Sequence, residues 1–282
     1  MVAERAPRYE GRRMDGLFGG RWALITGASS GLGEELARQL AERGCNVVLT
    51  ARSREKLGAL AAQLGAAHGV QARVIAADLA DAAGLDTLLR ELDALGVAID
   101  HVVANAGYGT WGPFVEETTR SQTEMVRLNC EAVVGVVHHV LPGMVARRRG
   151  GVLLVASTAA FQPTPMFAVY GATKTFVRSF GEALAEELRG TGVRVSVLCP
   201  GPVPTGFQTR AKIEIPPAQR AAVLTPQETV ERALAGYAAG RVIVVPGAVN
   251  RAGAVLASVI PNRVVVPVVR HMMKTRRTSE GS

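Results

Sequence analysis

The most restrictive feature of this sequence is the regular alternation of short apolar runs with longer segments of helical periodicity. The apolar runs predict strands at residues 22–26, 46–50, 72–77, 100–105, 151–156, 193–199 and 242–245, with helical segments between them. Strands that are apolar on both faces are typical of a parallel sheet covered by helices on each side. The sequence therefore predicts an α/β fold, a doubly wound parallel sheet of about seven strands.

The length and composition predict one main globular domain with two shorter terminal segments. Of the 282 residues, 48% are hydrophobic and 20% are charged, which supplies a sizeable core and argues against disorder. We expect a flexible basic extension over residues 1–20 and a main domain over 21–250, with a lid near 203–225. An apolar and basic tail then occupies residues 251–282.

The first twenty residues and the cysteines bear on the cellular compartment. The first twenty residues carry four arginines but no apolar segment, so we expect no secretory signal there. The three cysteines are far apart and lack metal-ligand spacing, which argues against a disulfide framework and fits a reducing compartment. We therefore expect a cytoplasmic protein.

The formal net charge of +8 raises the question of an anionic partner. No basic run is interleaved with aromatic residues and no nucleic-acid motif occurs, so we expect no nucleic-acid partner. Pro261 and Pro267 argue against a membrane span in the tail. Peripheral contact with a bilayer stays open, but packing of the tail on the lid or on a second subunit is the simpler interpretation. The histidines lack a supporting acid or cysteine cluster, so no metal site is expected.

A glycine-rich turn follows the first predicted strand. It reads Thr26-Gly27-Ala28-Ser29-Ser30-Gly31-Leu32-Gly33 and leads into a predicted helix. Glycines let the backbone approach a pyrophosphate closely, and a helix N-terminus offers free N–H groups and partial positive charge. A plain tight connection has a similar composition, but the position between the first strand and the first helix favours a dinucleotide site.

The end of the second predicted strand discriminates between the two nicotinamide dinucleotides. An acidic residue there binds the ribose hydroxyls of NAD, whereas a cation accepts the additional phosphate of NADP. Here the planar guanidinium of Arg52 ends the strand, followed by Ser53, which adds a hydroxyl or caps the next helix. NADP(H) is therefore the expected cofactor, with NAD(H) as the alternative.

Tyr170 and Lys174 lie four residues apart at the start of a strongly periodic helix. Residues at this spacing share one helical face, so the ammonium of Lys174 is expected near the phenol of Tyr170. A tyrosine with its usual pKa near 10 is a poor base, and a nearby cation lowers that pKa. The spacing alone is common on ordinary helix surfaces, and only its context favours proton transfer.

These motifs occur in an order that resembles the short-chain dehydrogenase/reductase family in its single-domain form, over residues 21–245. Beyond the cofactor turn and the tyrosine–lysine pair, the matching positions are Asp78-Leu79, Asn105-Ala106-Gly107, Asn129, Ser157 and Pro200-Gly201-Pro202-Val203-Pro204-Thr205. Two positions depart from the family pattern. Ala104 replaces a usual asparagine, and Ser30 stands where NADP-preferring members carry a basic residue, so the NADP preference depends on Arg52.

The resemblance implies a Rossmann fold and a division of roles. Tyr170 would be the general acid and base, Ser157 would hydrogen-bond the substrate oxygen, Lys174 would bind the nicotinamide ribose, and Asn129 would hold a water linked to Lys174. The cofactor would be bound by Thr26, Gly27, Ser29, Ser30, Gly31, Leu32, Gly33, Arg52, Ser53, Asp78, Leu79, Asn105, Ala106, Gly107, Tyr170, Lys174, Pro200, Gly201, Val203 and Thr205. The resemblance also implies a homodimer or homotetramer, formed through the two long helices that begin near residues 114 and 168.

The expected function is an NADP(H)-dependent oxidoreductase that reduces a carbonyl or oxidises the matching secondary alcohol. The resemblance implies that residues 21–250 form a dinucleotide-binding and catalytic domain, with a substrate lid near 203–225. Apolar residues of this lid and of nearby loops, among them Phe161, Met166 and Phe207, suit a lipophilic ketone such as a 3-oxoacyl chain or a steroid-like ring. The same residues would also serve ordinary loop packing. Two rival functions stay open: an NAD-linked alcohol dehydrogenase, and a catalytically idle NADP-binding regulatory protein.

Overall fold

The strands of this computed structural model, which describes residues 16–274 apart from 212–214 and 216, follow the apolar runs of the sequence to within one residue. They are β1 (Trp22–Thr26), β2 (Asn46–Ala51), β3 (Ala72–Ala76), β4 (Ile99–Ala104), β5 (Gly150–Val155), β6 (Val193–Leu198) and β7 (Ile243–Val244). They form one parallel sheet in the order β3-β2-β1-β4-β5-β6-β7. The chain switches direction across the sheet between β1 and β4, where open α/β sheets bind their ligands.

Helices cover both faces of this sheet, which confirms the predicted doubly wound architecture. They are α1 (Gly31–Glu42), α2 (Arg54–His68), α3 (Ala82–Ala94), α4 (Thr119–Val126), α5 (Ala132–Ala146), α6 (Ala168–Glu187), α7 (Gly206–Ala211), α8 (Pro226–Ala238), α9 (Ala248–Val259) and α10 (Asn262–Lys274). One apolar cluster joins α3, α5 and α6 to the sheet, and a second joins α1, α2 and α8 to its other face. Neighbouring strand residues such as Leu24 and Ile25 belong to different clusters because side chains alternate across a strand.

The continuous helical segment Thr119–Ala146 has the length and apolar character of a membrane span. In the fold its second half packs on β4 and β5 and buries Val133, Val136, Val140 and Met144. These side chains belong to the main core cluster, so they account for much of the apolarity of the segment. A π-helical turn, Arg127–Glu131, joins α4 to α5 without a break in the helix.

Residues beside both predicted domain boundaries are part of the fold. We expected the extension to reach residue 20, but Phe18 is fully buried and packs 5.1 Å from the ring of His101. The boundary at residue 250 falls inside α9, because the tail continues the fold as two helices instead of leaving it. Residues 1–15 and 275–282 of the predicted extension and tail lie outside the described part of the chain.

Candidate active site

A cavity of about 1470 Å³ opens at the carboxyl edge of the sheet. All but three of the predicted site residues line it: Gly27, Ser29, Ser30, Gly31, Leu32, Arg52, Ser53, Asp78, Leu79, Asn105, Ala106, Gly107, Ser157, Tyr170, Lys174, Pro200, Gly201, Val203 and Thr205. Most of them follow the ends of β1 to β6, which parallel topology places on one edge, and Tyr170 and Lys174 come from α6. The sequence motifs, although spread over 179 positions from Gly27 to Thr205, therefore meet around a single space.

The remaining three predicted residues, Thr26, Gly33 and Asn129, stand behind the lining and support it. The hydroxyl oxygen of Thr26 accepts hydrogen bonds from the backbone N–H groups of Asn105, at 3.0 Å, and Ala106, at 2.9 Å. The Asn105 amide in turn donates to the Thr26 carbonyl at 3.0 Å. These bonds fix the ends of β1 and β4 to each other, so Asn105 shapes the cavity by holding the glycine turn.

The glycine turn is packed so tightly that side chains at its glycine positions would collide with neighbouring atoms. A Cβ atom on Gly27, whose φ is 68°, would lie 2.9 Å from the Ala106 Cα atom. A Cβ atom on Gly33 would overlap the Gly27 carbonyl oxygen and lie 2.5 Å from the Asn105 side-chain nitrogen. Ser30, the N-cap of α1, makes no side-chain cap hydrogen bond. The N–H groups of the first turn of α1 therefore remain available to an anion such as a pyrophosphate.

Two cations lie where the adenosine end of a dinucleotide is expected. Arg52 is 61% exposed, and its guanidinium approaches the Asp78 carboxylate at 4.0 Å. Lys56, in the first turn of α2, lines the same cavity, although sequence reasoning overlooked it. The Ser53 hydroxyl accepts from the Lys56 backbone N–H at 3.4 Å, which confirms the predicted cap. The sequence does contain a signal for this role, because Lys56 is the third residue of a helix that begins after a capping serine at the end of β2.

Lys174 is a buried cation beside Tyr170. Its ammonium nitrogen donates to the Val155 carbonyl at 2.8 Å and lies 5.7 Å from the centre of the Tyr170 ring. Burial lowers the pKa of Lys174 from its usual 10.5 to about 8. A Cβ atom on Gly107 would lie 2.9 Å from the Asn129 side-chain oxygen, so the glycine makes room for this amide beside the amine.

Asn129 lies in the π-helical turn and is almost fully buried. Its side-chain nitrogen donates to the Tyr108 carbonyl and to the Thr173 hydroxyl, both at 3.0 Å, and its oxygen accepts from the Tyr108 N–H at 3.1 Å. Both amide hydrogens thus bind protein acceptors that link the loop after β4 to α6. Asn129 fixes the backbone around Lys174, and its predicted role in holding a water stays a prediction.

Tyr170 is held from two sides by aromatic rings. The ring of Phe167 lies 5.2 Å from it and that of Phe207, from α7, lies 5.4 Å from it. The loop before α6 includes Met166 in the left-handed region, with φ of 70°, a conformation that is unusual for a non-glycine residue and clusters at functional sites. The phenol therefore has a defined orientation at the meeting point of loop, helix and lid.

Ser157 caps the short helical turn that follows β5. Its hydroxyl oxygen accepts from the Ala159 N–H at 3.1 Å, and this bond does not use the hydroxyl hydrogen. Ser157 therefore retains a donor for an oxygen atom in the cavity. In the part of the chain that the structure describes, no group of histidine, cysteine and acidic residues is arranged to hold a metal ion.

The family model for short chain dehydrogenases matches residues 21–215, well over half of the chain. The chain belongs to the short-chain dehydrogenase family. This assignment confirms the resemblance predicted from the order of the motifs, and the parallel seven-stranded sheet confirms the predicted fold class.

Named relatives of this short-chain dehydrogenase include very-long-chain 3-oxoacyl-CoA reductases. The one from Phaeosphaeria nodorum is 37% identical over 182 residues, which cover 62% of this chain and 53% of that protein. The one from Anas platyrhynchos is 33% identical over 196 residues, which cover 68% of this chain and 63% of that protein. The chain thus spans between about half and two thirds of the length of these curated relatives.

Solved structures of short-chain dehydrogenases match over almost their whole length. A short-chain dehydrogenase from Sphingobium yanoikuyae in complex with NADPH superposes with a TM-score of 0.76 and 29% identity, covering 93% of this chain and 98% of that one. A 7beta-hydroxysteroid dehydrogenase superposes with a TM-score of 0.82 and 26% identity, covering 91% and 99%.

Proposed function

We propose that this short-chain dehydrogenase uses NADPH to reduce the carbonyl of a lipophilic substrate, and oxidises the matching secondary alcohol in the reverse direction. The observation that carries the proposal is the convergence of Ser157, Tyr170 and Lys174 on the cavity that also contains the glycine turn and Arg52. Proton-transfer groups and a phosphate cradle in one space are what a nicotinamide-dependent reductase requires.

The residues present fit such a cofactor. The space that glycine leaves at positions 27 and 33 accommodates close approach of a pyrophosphate to the backbone, and the start of α1 offers N–H donors. Arg52 and Lys56 supply positive charge for the phosphate that distinguishes NADP from NAD. The solved Sphingobium yanoikuyae relative, which contains NADPH, supports the same cofactor. When bound, NADPH supplies the hydride.

The protein, not the cofactor, supplies the proton that the reduction requires. Tyr170 donates its phenolic proton to the carbonyl oxygen during reduction, while Ser157 donates a hydrogen bond to the same oxygen and stabilises the charge that develops there. Lys174, with a pKa of about 8, remains mainly protonated near neutral pH. Its positive charge beside the ring favours the tyrosinate that is left after proton transfer.

The substrate half of the cavity favours an aliphatic chain. Apolar side chains continue along the cavity lining from Phe207 to Ile260, between α9 and α10, and to Val265 and Val269 on α10. Relatives named very-long-chain 3-oxoacyl-CoA reductases support a 3-oxoacyl substrate. The similarity to a 7beta-hydroxysteroid dehydrogenase supports a steroid-like ketone as the second candidate.

A homodimer or homotetramer is the proposed assembly. Val126 on α4, Val134 on α5 and Phe176 on α6 are 38–44% exposed and belong to the two long helical segments that the sequence indicated. Apolar residues at this exposure suit burial against a second copy. Sedimentation of the full chain measures the state directly.

The proton donor is tested by Tyr170→Phe. We expect the variant to lose roughly 100- to 10,000-fold in kcat, which is the range that a positioned proton donor contributes, and to bind NADPH as before. Turnover is followed by NADPH absorbance with a panel of ketones and 3-oxoacyl thioesters, and binding by cofactor fluorescence. Tyr237→Phe is the matched control and should retain turnover, because Tyr237 lies on the buried side of α8, away from the cavity. Undiminished turnover by Tyr170→Phe contradicts the mechanism.

The cofactor preference is tested by Arg52→Gln. Loss of a charged partner for the phosphate should weaken NADPH binding roughly 10- to 100-fold and leave NADH binding unchanged. Arg54→Gln, an exposed arginine two residues away that does not line the cavity, should change neither affinity. Equal loss of affinity for both cofactors would show that Arg52 does not read the phosphate.

A further inference from the structure

The last two helices expose an apolar surface beside the mouth of the cavity. Six aliphatic side chains of α9 and α10 are each more than half exposed: Val249, Val255, Leu256, Val259, Val264 and Val268. We call this group the C-terminal apolar surface. Exposed aliphatic residues are common singly, but a group of this size on two consecutive helices marks an interaction site.

Arginines border this surface on both helices. Arg251, Val255 and Val259 follow one another at intervals of four and so share one stripe of α9. Arg263 and Arg270, seven residues apart, share one stripe of α10 beside the valines. All three arginines are exposed. Cationic side chains at the border of an apolar helical face are the arrangement of helices that lie in the headgroup region of a bilayer.

The chemistry of the segment favours lipid over a protein partner. Residues 248–274 contain three arginines and a lysine but no aspartate or glutamate. They also contain no phenylalanine, tyrosine or tryptophan, whereas protein interfaces are enriched in aromatic anchors. Helices of 12 and 13 residues are too short to span a bilayer. A surface contact with anionic headgroups satisfies the charge and covers the aliphatic residues.

The C-terminal apolar surface is continuous with the active site. Leu256, Val264 and Val268 belong both to this surface and to the cavity lining. Deeper in, Val269, Tyr170 and Phe207 all pack against the buried pair of Phe167 and Ala211. An uninterrupted series of aliphatic and aromatic side chains therefore runs from the exposed valines to the proton donor.

We propose that α9 and α10 dock on an anionic lipid bilayer, with the mouth of the cavity facing the membrane. The docking stands independently of the proposed reaction, because it depends only on the exposed helices. If the reaction is also as proposed, a lipophilic ketone dissolved in the membrane reaches Tyr170 without crossing water. The inner side of α9 and α10 packs on the lid, as the sequence predicted, and the proposal concerns only the exposed side of the two helices.

The experiment is co-flotation of the full chain with vesicles. Vesicles of phosphatidylcholine and phosphatidylglycerol in equal amounts should carry the protein, and vesicles of phosphatidylcholine alone should carry much less. Arg251→Gln/Arg263→Gln should lower the partition coefficient on the anionic vesicles roughly 30-fold, since each basic residue near such a surface contributes about a fivefold factor. Val255→Ser/Val259→Ser should lower it roughly tenfold or more.

The controls separate the surface from general charge and stability. Arg90→Gln/Arg232→Gln removes the same charge from exposed sites on α3 and α8, and Val242→Ser removes a partly exposed valine elsewhere. These variants should float like the wild type. None of the substituted residues lines the cavity, so reduction of a water-soluble ketone without vesicles should be unchanged in all of them. Circular dichroism melting shows whether each variant is folded.

Three results overturn the proposal. Flotation that is absent, or equal on both kinds of vesicle, excludes recognition of an anionic bilayer. If the full chain does not float but a variant without residues 275–282 does, the terminus of the chain covers the surface. A wild type that does not float, and whose sedimentation coefficient falls on Val255→Ser/Val259→Ser, shows that a second copy covers it. Failure of ketone reduction with intact flotation refutes the proposed function and leaves the docking in place.

Discussion

Protonation of His101 should destabilise the fold in mildly acidic solution. His101 lies on β4 and is 2% exposed, and burial lowers its pKa from 6.5 to about 4. One ring nitrogen, Nδ1, is 2.7 Å from the Tyr237 hydroxyl, and the other, Nε2, is 3.1 Å from the Leu17 carbonyl. The neutral ring with its hydrogen on Nε2 satisfies both contacts, donating to Leu17 and accepting from Tyr237.

The size and sign of the effect follow from linkage. The unfolded chain takes up this proton near pH 6.5, whereas the folded protein does so only near pH 4. Between these values the unfolded state binds more protons, so the free energy of unfolding decreases as the pH falls, and the loss is complete below about pH 4. The difference between the two pKa values corresponds to about 3 kcal/mol. The charge of Asp100 raises the pKa of His101 and so opposes the effect of burial, while the charges of Arg21 and Arg194 lower this pKa further.

Urea unfolding between about pH 4 and pH 7 measures this contribution. His101→Gln removes the titrating group and retains an N–H donor for the Leu17 carbonyl. The stability advantage of the wild type over this variant should therefore shrink by about 3 kcal/mol as the pH falls across the window. His68→Gln, which alters an exposed histidine at the end of α2, should run parallel to the wild type. If the wild type and His101→Gln respond identically to pH, the buried imidazole is not the source of acid sensitivity.

Two further perturbations test the packing and electrostatics of the site. Gly33→Ala should weaken NADPH binding and lower stability by roughly 1–3 kcal/mol, because a Cβ atom there overlaps the Gly27 carbonyl oxygen. Gly58→Ala, in open space on α2, is the control and should raise stability by about 0.5–1 kcal/mol. Thermal unfolding measures the stabilities and cofactor titration the affinities, and a Gly33→Ala variant with unchanged values contradicts the tight packing of the glycine turn. In the cofactor-free protein, the stability of the wild type relative to Lys174→Met should rise between pH 8 and 10.5, because the unfolded lysine keeps its proton up to the higher value. Urea unfolding measures this difference, and a constant offset across that range shows that the folded lysine titrates normally.

Much of the fold and of the site could be predicted because both depend on local sequence. The apolar runs form the strands of the sheet, and all except the edge strands β3 and β7 are largely buried, so the spacing of these runs predicted seven strands to within one residue. Parallel topology then brings every strand end to one edge. Arg52 and Tyr170 could therefore be assigned to one site from their positions after β2 and at the start of α6.

The remainder depends on contacts between residues that are distant in sequence. No spacing rule links His101 to Tyr237, which is 136 positions away, or predicts that both enclose Phe18. Pro261 lies in the break between α9 and α10, whereas Pro267 lies inside α10, which forms a wall of the cavity. Which face of an amphipathic helix meets the core is decided by tertiary packing, so the periodicity of α9 and α10 could not reveal the exposed valines.

The π-helical turn at Arg127–Glu131 has a consequence for comparing and engineering this helix. A π turn holds one residue more than an α turn, and one residue rotates a helix by about 100°. The faces before and after Asn129 are therefore out of phase, and a helical wheel drawn through Thr119–Ala146 as one regular helix assigns the wrong residues to one of its ends. Deleting a single position within the turn would restore regular winding and rotate one half of the helix relative to the other, so the length of this stretch is constrained even at positions whose side chains make no contact of their own.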